Sequence, residues 1–130
     1  MPHQISDRAD EFYRALTSGD TAACAQMFAV AAVVWHNYDL VEQSPAEALA
    51  PVAAMSALLP RFEVVERLML SDGWLQQHRF HFAFPDGDEL VLAAIQRTRL
   101  RDGLISRVDE YMDTAQLGAI VQKAQSTLST

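Results

Sequence analysis

Three Asp-Gly pairs divide the second half of the chain, and no other feature of the sequence limits the fold as strongly. The pairs lie at residues 72–73, 86–87 and 102–103, each between apolar or alternating stretches. Asp-Gly between such stretches is typical of the tight turn of a β-hairpin. The sequence therefore predicts four consecutive antiparallel strands, which would cover residues 61–70, 74–84, 89–101 and 104–113.

Ahead of these strands, apolar residues recur at the spacing of a helix. A first helix is predicted over residues 6–18, and Asp20 can cap a second, shorter helix whose apolar residues run to Phe28. A first strand is predicted over residues 32–38, because the residues there turn β-branched and aromatic.

Two further regions of helical pattern complete the chain. Ser44 can cap a helix that Pro51 must interrupt and Pro60 must end, so two short helical pieces are expected. Helical spacing returns over residues 117–128, although residues 126–130 look free to fray.

Helices followed by a strand meander predict an α+β fold, with the N-terminal helices packed on a curved, mainly antiparallel sheet. The 130 residues fit a single domain, and a net charge of −7 disfavours a nucleic-acid partner. One cysteine, Cys24, excludes an intramolecular disulfide and a zinc site of several thiolates. The sequence starts without a signal-peptide pattern and has no apolar run of roughly 18 residues, so we expect no membrane association and a cytoplasmic protein.

Period-two alternation places an acid within an apolar face of the last strand. Val108, Glu110 and Met112 share that face. A charged acid among apolar neighbours costs several kcal/mol unless it is paired, so Glu110 is a candidate functional carboxylate. A register shift of one residue would instead turn it to the outside.

The two preceding strands add an arginine and a row of aromatic residues. Arg97 ends an apolar stripe and can reach Glu110 across the sheet, either as a functional partner or as an ordinary ion pair near the sheet end. A second row has the composition of a core or of a subunit interface, and it comprises Trp74, His78, Phe80, Phe82 and Phe84.

The end of the first strand carries the remaining candidates. His36 can act as a general base near neutral pH, and Asn37 can orient a substrate oxygen or a water. These neighbours point to opposite faces of a regular strand, so both reach one pocket only at a bulge or at the strand end. An exposed histidine at a strand end is the alternative. No phosphate loop, metal motif or nucleophile elbow is present, so neither a metal nor another cofactor is predicted.

Taken in order, these features resemble the nuclear transport factor 2-like superfamily, in its SnoaL-like branch. The landmarks that carry the resemblance span about residues 5–117, and they are Phe12 to Leu16 before Ser18-Gly19-Asp20, Met27 to Ala29, Val34 to Asn37, Asp102 to Ile105, and Glu110 to Asp113. The resemblance implies one domain with a cone-shaped barrel, a deep apolar pocket and frequent homodimers. Its members include ketosteroid isomerases, polyketide cyclases, dehydratases, epoxide hydrolases and binders without activity.

Positions carried over from each branch point to different chemistry. The tyrosine and base of ketosteroid isomerases correspond to Phe12 and His36, with Tyr13 one residue away on another helical azimuth. The catalytic positions of the epoxide hydrolases correspond to Trp35, Asn37, Arg97, Arg99 and Glu110. At one of them, Arg99 stands where those enzymes have an acid. The acid of the polyketide cyclases corresponds to Glu110 or Asp113.

The leading hypothesis is an enzyme that moves a proton on a small, largely apolar carbonyl compound. His36 is the expected base and Glu110 the acid or second base, while Arg97 and Asn37 would stabilise an oxyanion. The expected pocket walls are Phe12, Leu16, Phe28, Trp35, Met55, Leu58, Val91, Val108 and Met112. The alternatives are an epoxide hydrolase with an altered acid pair, and a binding or dimerisation module in which Arg97 and Glu110 neutralise each other and the aromatic face contacts a second copy.

Overall fold

The computed structural model describes residues 2–128 and contains five helices and six strands in that range. The helices are α1 (Pro2–Ser18), α2 (Thr21–Gln26), α3 (Pro45–Leu49), α4 (Val52–Ser56) and α5 (Thr114–Leu128). The strands are β1 (Phe28–His36), β2 (Glu42–Gln43), β3 (Arg61–Leu70), β4 (Gly73–Ala83), β5 (Glu89–Arg101) and β6 (Leu104–Met112). No helix in this range is both long enough and apolar enough to cross a membrane.

The strands form one open, mixed sheet in the order β2-β1-β6-β5-β4-β3. All neighbours are antiparallel except β1 and β6, which run parallel. The helices pack on the concave side, which gives the α+β, cone-like fold that the sequence predicts, although the sheet does not close into a barrel. The three predicted hairpins are confirmed, because β3, β4, β5 and β6 pair in succession.

Local chemistry explains where several elements begin and turn. Asp20 accepts a hydrogen bond from the Ala23 amide at the start of α2, and Ser44 and Glu47 form a reciprocal capping box at α3. In the turn between β5 and β6, Asp102 and Gly103 have φ angles of 53° and 80°. Positive φ at both residues is the type I′ geometry that Asp-Gly favours.

Several predicted boundaries differ from the structure, and one strand was not predicted. β1 begins at Phe28 instead of residue 32, because the start of β6 pairs with it and the Ile105 amide donates to the Met27 carbonyl. The short β2 had no clear sequence signal. Helix α5 continues to Leu128, residues 129–130 lie outside the described range, and the fraying expected of residues 126–130 stays a prediction.

The core consists of two apolar clusters on the concave side of the sheet. One lies under α1 and α2 and includes Phe12, Tyr13 and Trp74. The other lies under α5 and includes Phe82 and Ile120. The space between the helices and the sheet positions the candidate site.

Strand β5 turns the opposite face inward from the one expected. Its buried residues are Leu92, Ala94, Gln96 and Thr98, whereas Arg97 lies on the outer face. The apolar alternation was ambiguous because Val91, Ala93 and Ile95 form a second apolar row, and Ile95 is 43% exposed.

The aromatic row of β4 faces the concave side, which agrees with the first of its two predicted roles, a core, and not with the second, a subunit interface. Trp74 and Phe82 are buried, and Phe80 packs beside them. These rings therefore contribute to the protein's own core and to the cavity that the helices cover.

Candidate functional site

A cavity of about 1010 Å³ lies between the concave face of the sheet and helices α1, α3, α4 and α5. Its walls are mainly apolar, and the predicted residues among them are Phe12, Leu16, Phe28, Met55, Val108 and Met112. Phe80, Phe82, Leu92 and Leu117 add further apolar surface. The volume and the lining are typical of a site for a small organic molecule.

Only a small part of the cavity wall is ionisable. His36, Tyr38 and Glu110 line it, and no Lys or Arg is present among the described lining residues. The interior therefore offers acid/base groups to a neutral molecule but no cation that could hold a carboxylate.

His36 and Glu110 meet because β1 and β6 pair in parallel. The two residues are direct partners in the register, and both side chains turn to the concave side. His36 Nε2 lies 3.2 Å from Glu110 Oε1. The structure thus brings together the two residues that the sequence named as base and acid.

Glu110 is 5% exposed and receives polar contacts from three directions. Gln96 Nε2 donates to Oε2 at 2.8 Å, and His78 Nε2 lies 3.5 Å from the same oxygen. Burial by itself would raise the pKa of this carboxyl, but the imidazoles of His36 and His78 outweigh burial and lower the pKa. Glu110 is therefore held as a carboxylate inside an apolar site.

His36 contacts Glu110 through one ring nitrogen, Nε2. Its ring stacks on Tyr38, with centroids 4.9 Å apart. The other ring nitrogen, Nδ1, is buried and has no hydrogen-bond partner among the described residues. Burial, Asp39 and Glu110 raise the pKa of Tyr38, which keeps its hydroxyl protonated and able to donate.

A second group of buried polar residues supports Glu110 from α1 and β4. Trp74 Nε1 donates to the Tyr13 hydroxyl at 3.0 Å, and that hydroxyl donates to Gln96 Oε1 at 2.6 Å. Burial raises the pKa of Tyr13 well above its usual value. Tyr13 does not line the cavity, in agreement with its azimuth, but it reaches Glu110 through Gln96.

The structure does not bring Asn37 or Arg97 to the cavity. Asn37 Nδ2 donates to the Met112 carbonyl at 3.1 Å, and Asn37 Oδ1 accepts from the Met112 amide at 3.0 Å. Arg97 binds Asp72 at 2.5 Å instead of Glu110. The contact expected between Arg97 and Glu110 is absent because β5 presents Gln96, not Arg97, opposite Glu110.

Three predicted wall residues also lie elsewhere. Trp35 is on the outer face of the sheet, where its ring contacts Tyr111. Val91 belongs to the outer row of β5, and Leu58 is buried in the core cluster under α5. None of the three lines the cavity.

Two residues from the branch comparisons have other roles. Arg99 is exposed and pairs with Asp109 on the outer face. Asp113 caps α5, where its carboxylate accepts from the amides of Ala115 and Gln116. Glu110 is therefore the acid of the last strand that faces the cavity.

The sequence analysis missed Gln76, His78 and Gln96 as members of this site. A signal was present, because each is a polar residue on a strand face that is otherwise mostly apolar or aromatic. Within residues 2–128, no three His, Cys, Asp or Glu residues are arranged to hold a metal ion.

Comparisons with known proteins agree with this fold. Residues 9–108 match the SnoaL-like domain family, and the chain belongs to that family. No curated protein sequence matches the chain.

Three solved structures share the fold at low sequence identity. The proposed polyketide cyclase IdmH from Streptomyces antibioticus is 19% identical, with a TM-score of 0.76 over 92% of this chain and 99% of that one. The proposed hydroxylase AclR from Streptomyces galilaeus is 14% identical, with a TM-score of 0.77 over 95% and 87%. A proposed SnoaL-like polyketide cyclase from Shewanella putrefaciens is 10% identical, with a TM-score of 0.74 over 95% and 88%.

Proposed function

We propose that this protein is an enzyme that moves a proton on a small, neutral, largely apolar carbonyl compound. One observation carries the proposal: a histidine and a buried carboxylate lie 3.2 Å apart in the wall of an apolar cavity of about 1010 Å³. A base held by a carboxylate is a common arrangement for general acid/base catalysis.

In the proposed reaction, His36 is the base and Glu110 holds it. His36, which lines the cavity, takes a proton from the carbon next to the substrate carbonyl. The electron pair of the broken C–H bond moves to the carbonyl and forms an enolate. The Glu110 carboxylate stabilises the imidazolium that results, because the two groups are in contact.

The fate of the enolate defines the reaction class. Return of the proton to another carbon gives an isomerase. Attack of the enolate on a second carbonyl of the same molecule, with the proton delivered to the new alkoxide, gives a cyclase. The names of IdmH and the Shewanella protein favour the cyclase, and the apolar walls favour a neutral substrate.

The oxyanion donor that we propose differs from the two donors expected from the sequence. Asn37 and Arg97 bind other parts of the protein, whereas Tyr38 lines the cavity beside His36. We therefore assign the donor role to the Tyr38 hydroxyl. An epoxide hydrolase has less support, because Arg97 and Arg99 lie on the outer face.

A binding module without activity is the second candidate. The observation in its favour is that Gln96, His36 and His78 already surround Glu110, as expected of a structural network. The homodimer, the cytoplasmic location and the single-domain organisation inferred from the sequence stay predictions.

The test is proton exchange in D₂O with a panel of ketones, enones, epoxides and lactones, monitored by mass spectrometry. Exchange or turnover requires proton transfer, whereas binding alone does not. We expect His36→Ala and Glu110→Gln each to lower the rate by about 100-fold or more.

The outer face offers a matched control. His81 and Glu63 form a similar pair at 2.9 Å outside the cavity, so His81→Ala and Glu63→Gln should keep the wild-type rate. Binding of panel compounds without exchange or turnover would favour the binding module. Equal losses in the control pair would contradict a role specific to His36 and Glu110.

A further inference from the structure

Arg67 on β3 begins a chain of hydrogen bonds that ends at His78, whose ring lies beside the carboxylate of Glu110. Its Nε donates to Gln76 Oε1 at 2.6 Å, and its Nη1 donates to Asp10 at 2.7 Å. Gln76 Nε2 lies 2.9 Å from His78 Nδ1. His78 Nε2 then lies 3.5 Å from Glu110 Oε2, a close polar contact that does not meet hydrogen-bond geometry.

The direction of the hydrogen bonds in this chain is set by Arg67, its first residue. A guanidinium has donors only, so the Gln76 atom that it meets must be the amide oxygen. The Gln76 amide nitrogen then points to His78 and can only donate. His78 Nδ1 must therefore accept, which leaves the imidazole proton on Nε2, directed at Glu110.

A second chain reaches the same oxygen in the same direction. The indole of Trp74 can only donate, so the Tyr13 hydroxyl accepts from it and donates its own proton to Gln96 Oε1. Gln96 Nε2 is consequently directed at Glu110 Oε2, at 2.8 Å. Two independent chains thus present donors to Oε2.

We infer that Arg67 and Gln76 are positioning residues that hold His78 as the Nε2–H tautomer, so that Glu110 Oε2 only accepts hydrogen bonds. The exchangeable proton of the site then lies between the other carboxylate oxygen, Glu110 Oε1, and His36 Nε2. The catalytic consequence of this inference rests on the proposed function, because it directs proton exchange toward His36 at the cavity. The tautomer of His78 itself does not depend on any reaction.

The charged and titratable groups that the structure places around Glu110 come from four elements. Tyr13 and Asp10 come from α1, His36 and Tyr38 from β1, Arg67 from β3, and His78 from β4. A neutral His78 fits this set, since a second ring proton on Nδ1 would point at the Gln76 amide donor.

The tautomer can be observed directly by long-range ¹H–¹⁵N correlation spectra of ¹⁵N-histidine-labelled wild-type protein at neutral pH. The chain has four histidines, and His81→Gln and His36→Gln assist the assignment. We expect His78 Nδ1 to resonate as an unprotonated nitrogen and Nε2 as a protonated one. An Nδ1–H tautomer or an imidazolium in the wild type would overturn the inference.

Three variants test the origin of the tautomer. In Gln76→Glu, the carboxylate accepts from both Arg67 and His78, so His78 Nδ1 should change from unprotonated to protonated. Arg67→Met frees the Gln76 amide to rotate and should give a mixture of tautomers, whereas Arg67→Lys retains a donor and should restore the wild-type spectrum. An unchanged His78 spectrum in Gln76→Glu would contradict the positioning role.

The spectra separate this inference from the proposed function. They require no substrate, so a tautomer that differs from Nε2–H refutes the positioning role even if exchange is found in D₂O. The Nε2–H tautomer in a protein that shows no exchange with the panel would leave the positioning role intact and count against the enzyme.

Discussion

His36 and Glu110 are direct register partners on the only parallel pair of strands among residues 2–128. Because β1 and β6 run side by side in the same direction, their ends place Nε2 and Oε1 3.2 Å apart on the concave side. An antiparallel neighbour on the other side of β6 supplies Gln96 to the same carboxylate. The site therefore lies where β1 pairs with β6, the last strand of the antiparallel meander.

Glu110→Gln should weaken the dependence of stability on pH in acid. The pKa of Glu110 is lowered in the folded protein, so below pH 4.5 the unfolded chain takes up this proton first. Stability from Glu110 is thus fully present above pH 4.5 and is lost as the pH falls toward the lowered pKa, with a slope of up to about 1 kcal/mol per pH unit. Urea unfolding between pH 3 and 7 should show a shallower slope for the variant.

Glu63→Gln is the control for that experiment. Its carboxylate also has a lowered pKa, because His81 and the arginines beside it favour the charged form. Glu63 lies on the outer face, so its contribution should fade in about 0.5 M salt, whereas that of the buried Glu110 should persist. Parallel stability curves for the wild type and Glu110→Gln would contradict the lowered pKa of Glu110.

Asn37→Ala should destabilise the protein by about 1–3 kcal/mol, because two hydrogen bonds to the backbone of Met112 are lost. Asn37→Asp should be less stable still, since its second carboxylate oxygen would face the Met112 carbonyl oxygen. The measurement is denaturant unfolding, alongside the rate of any exchange found in D₂O. Wild-type stability with lost exchange would instead restore Asn37 to the catalytic role first expected of it.

Arg97→Ala should leave ligand binding and exchange at the wild-type level. The side chain binds Asp72 and the Thr98 carbonyl on the outer face, so its removal should lower Tm only slightly. Binding titrations and exchange rates, measured beside those of Glu110→Gln, check this expectation. A loss comparable to that of Glu110→Gln would show that Arg97 reaches the cavity.

Gly73→Ala should cost more than about 3 kcal/mol of stability. Gly73 has a φ of 148°, and a Cβ there would lie 2.0 Å from the backbone oxygen of Thr98. Gly87→Ala is the matched control, because Gly87 also has a positive φ of 93° but no atom within 4 Å of the added Cβ. Its expected cost is about 1 kcal/mol from backbone strain alone. Equal losses in the two variants would contradict the close approach of Gly73 to β5.

Much of the fold could be predicted because the signals that specify it are local. Asp-Gly turns mark the three hairpins, and the capping box at Ser44 with the proline at residue 51 marks α3 and α4. Period-two alternation also placed Val108, Glu110 and Met112 on one face of β6, and Val108 and Glu110 are buried there. These features depend on residues within a few positions of one another.

The face of β5 could not be predicted in the same way. Both of its rows contain apolar residues, so alternation alone does not say whether Arg97 or Gln96 turns inward. The helices cover only the concave side of the sheet, and this packing buries Gln96 and leaves Arg97 on the outer face.

The sequence by itself thus determined every element except β2, the order of those elements along the chain, and the anomaly of an acid on an apolar face. Only the tertiary structure decided what surrounds that acid, since His36 precedes Glu110 by 74 residues and His78 precedes it by 32. The physical reason is that a hydrogen bond depends on distance and direction in space, which are fixed here by the parallel pairing of β1 with β6 and by the packing of α1 on the sheet.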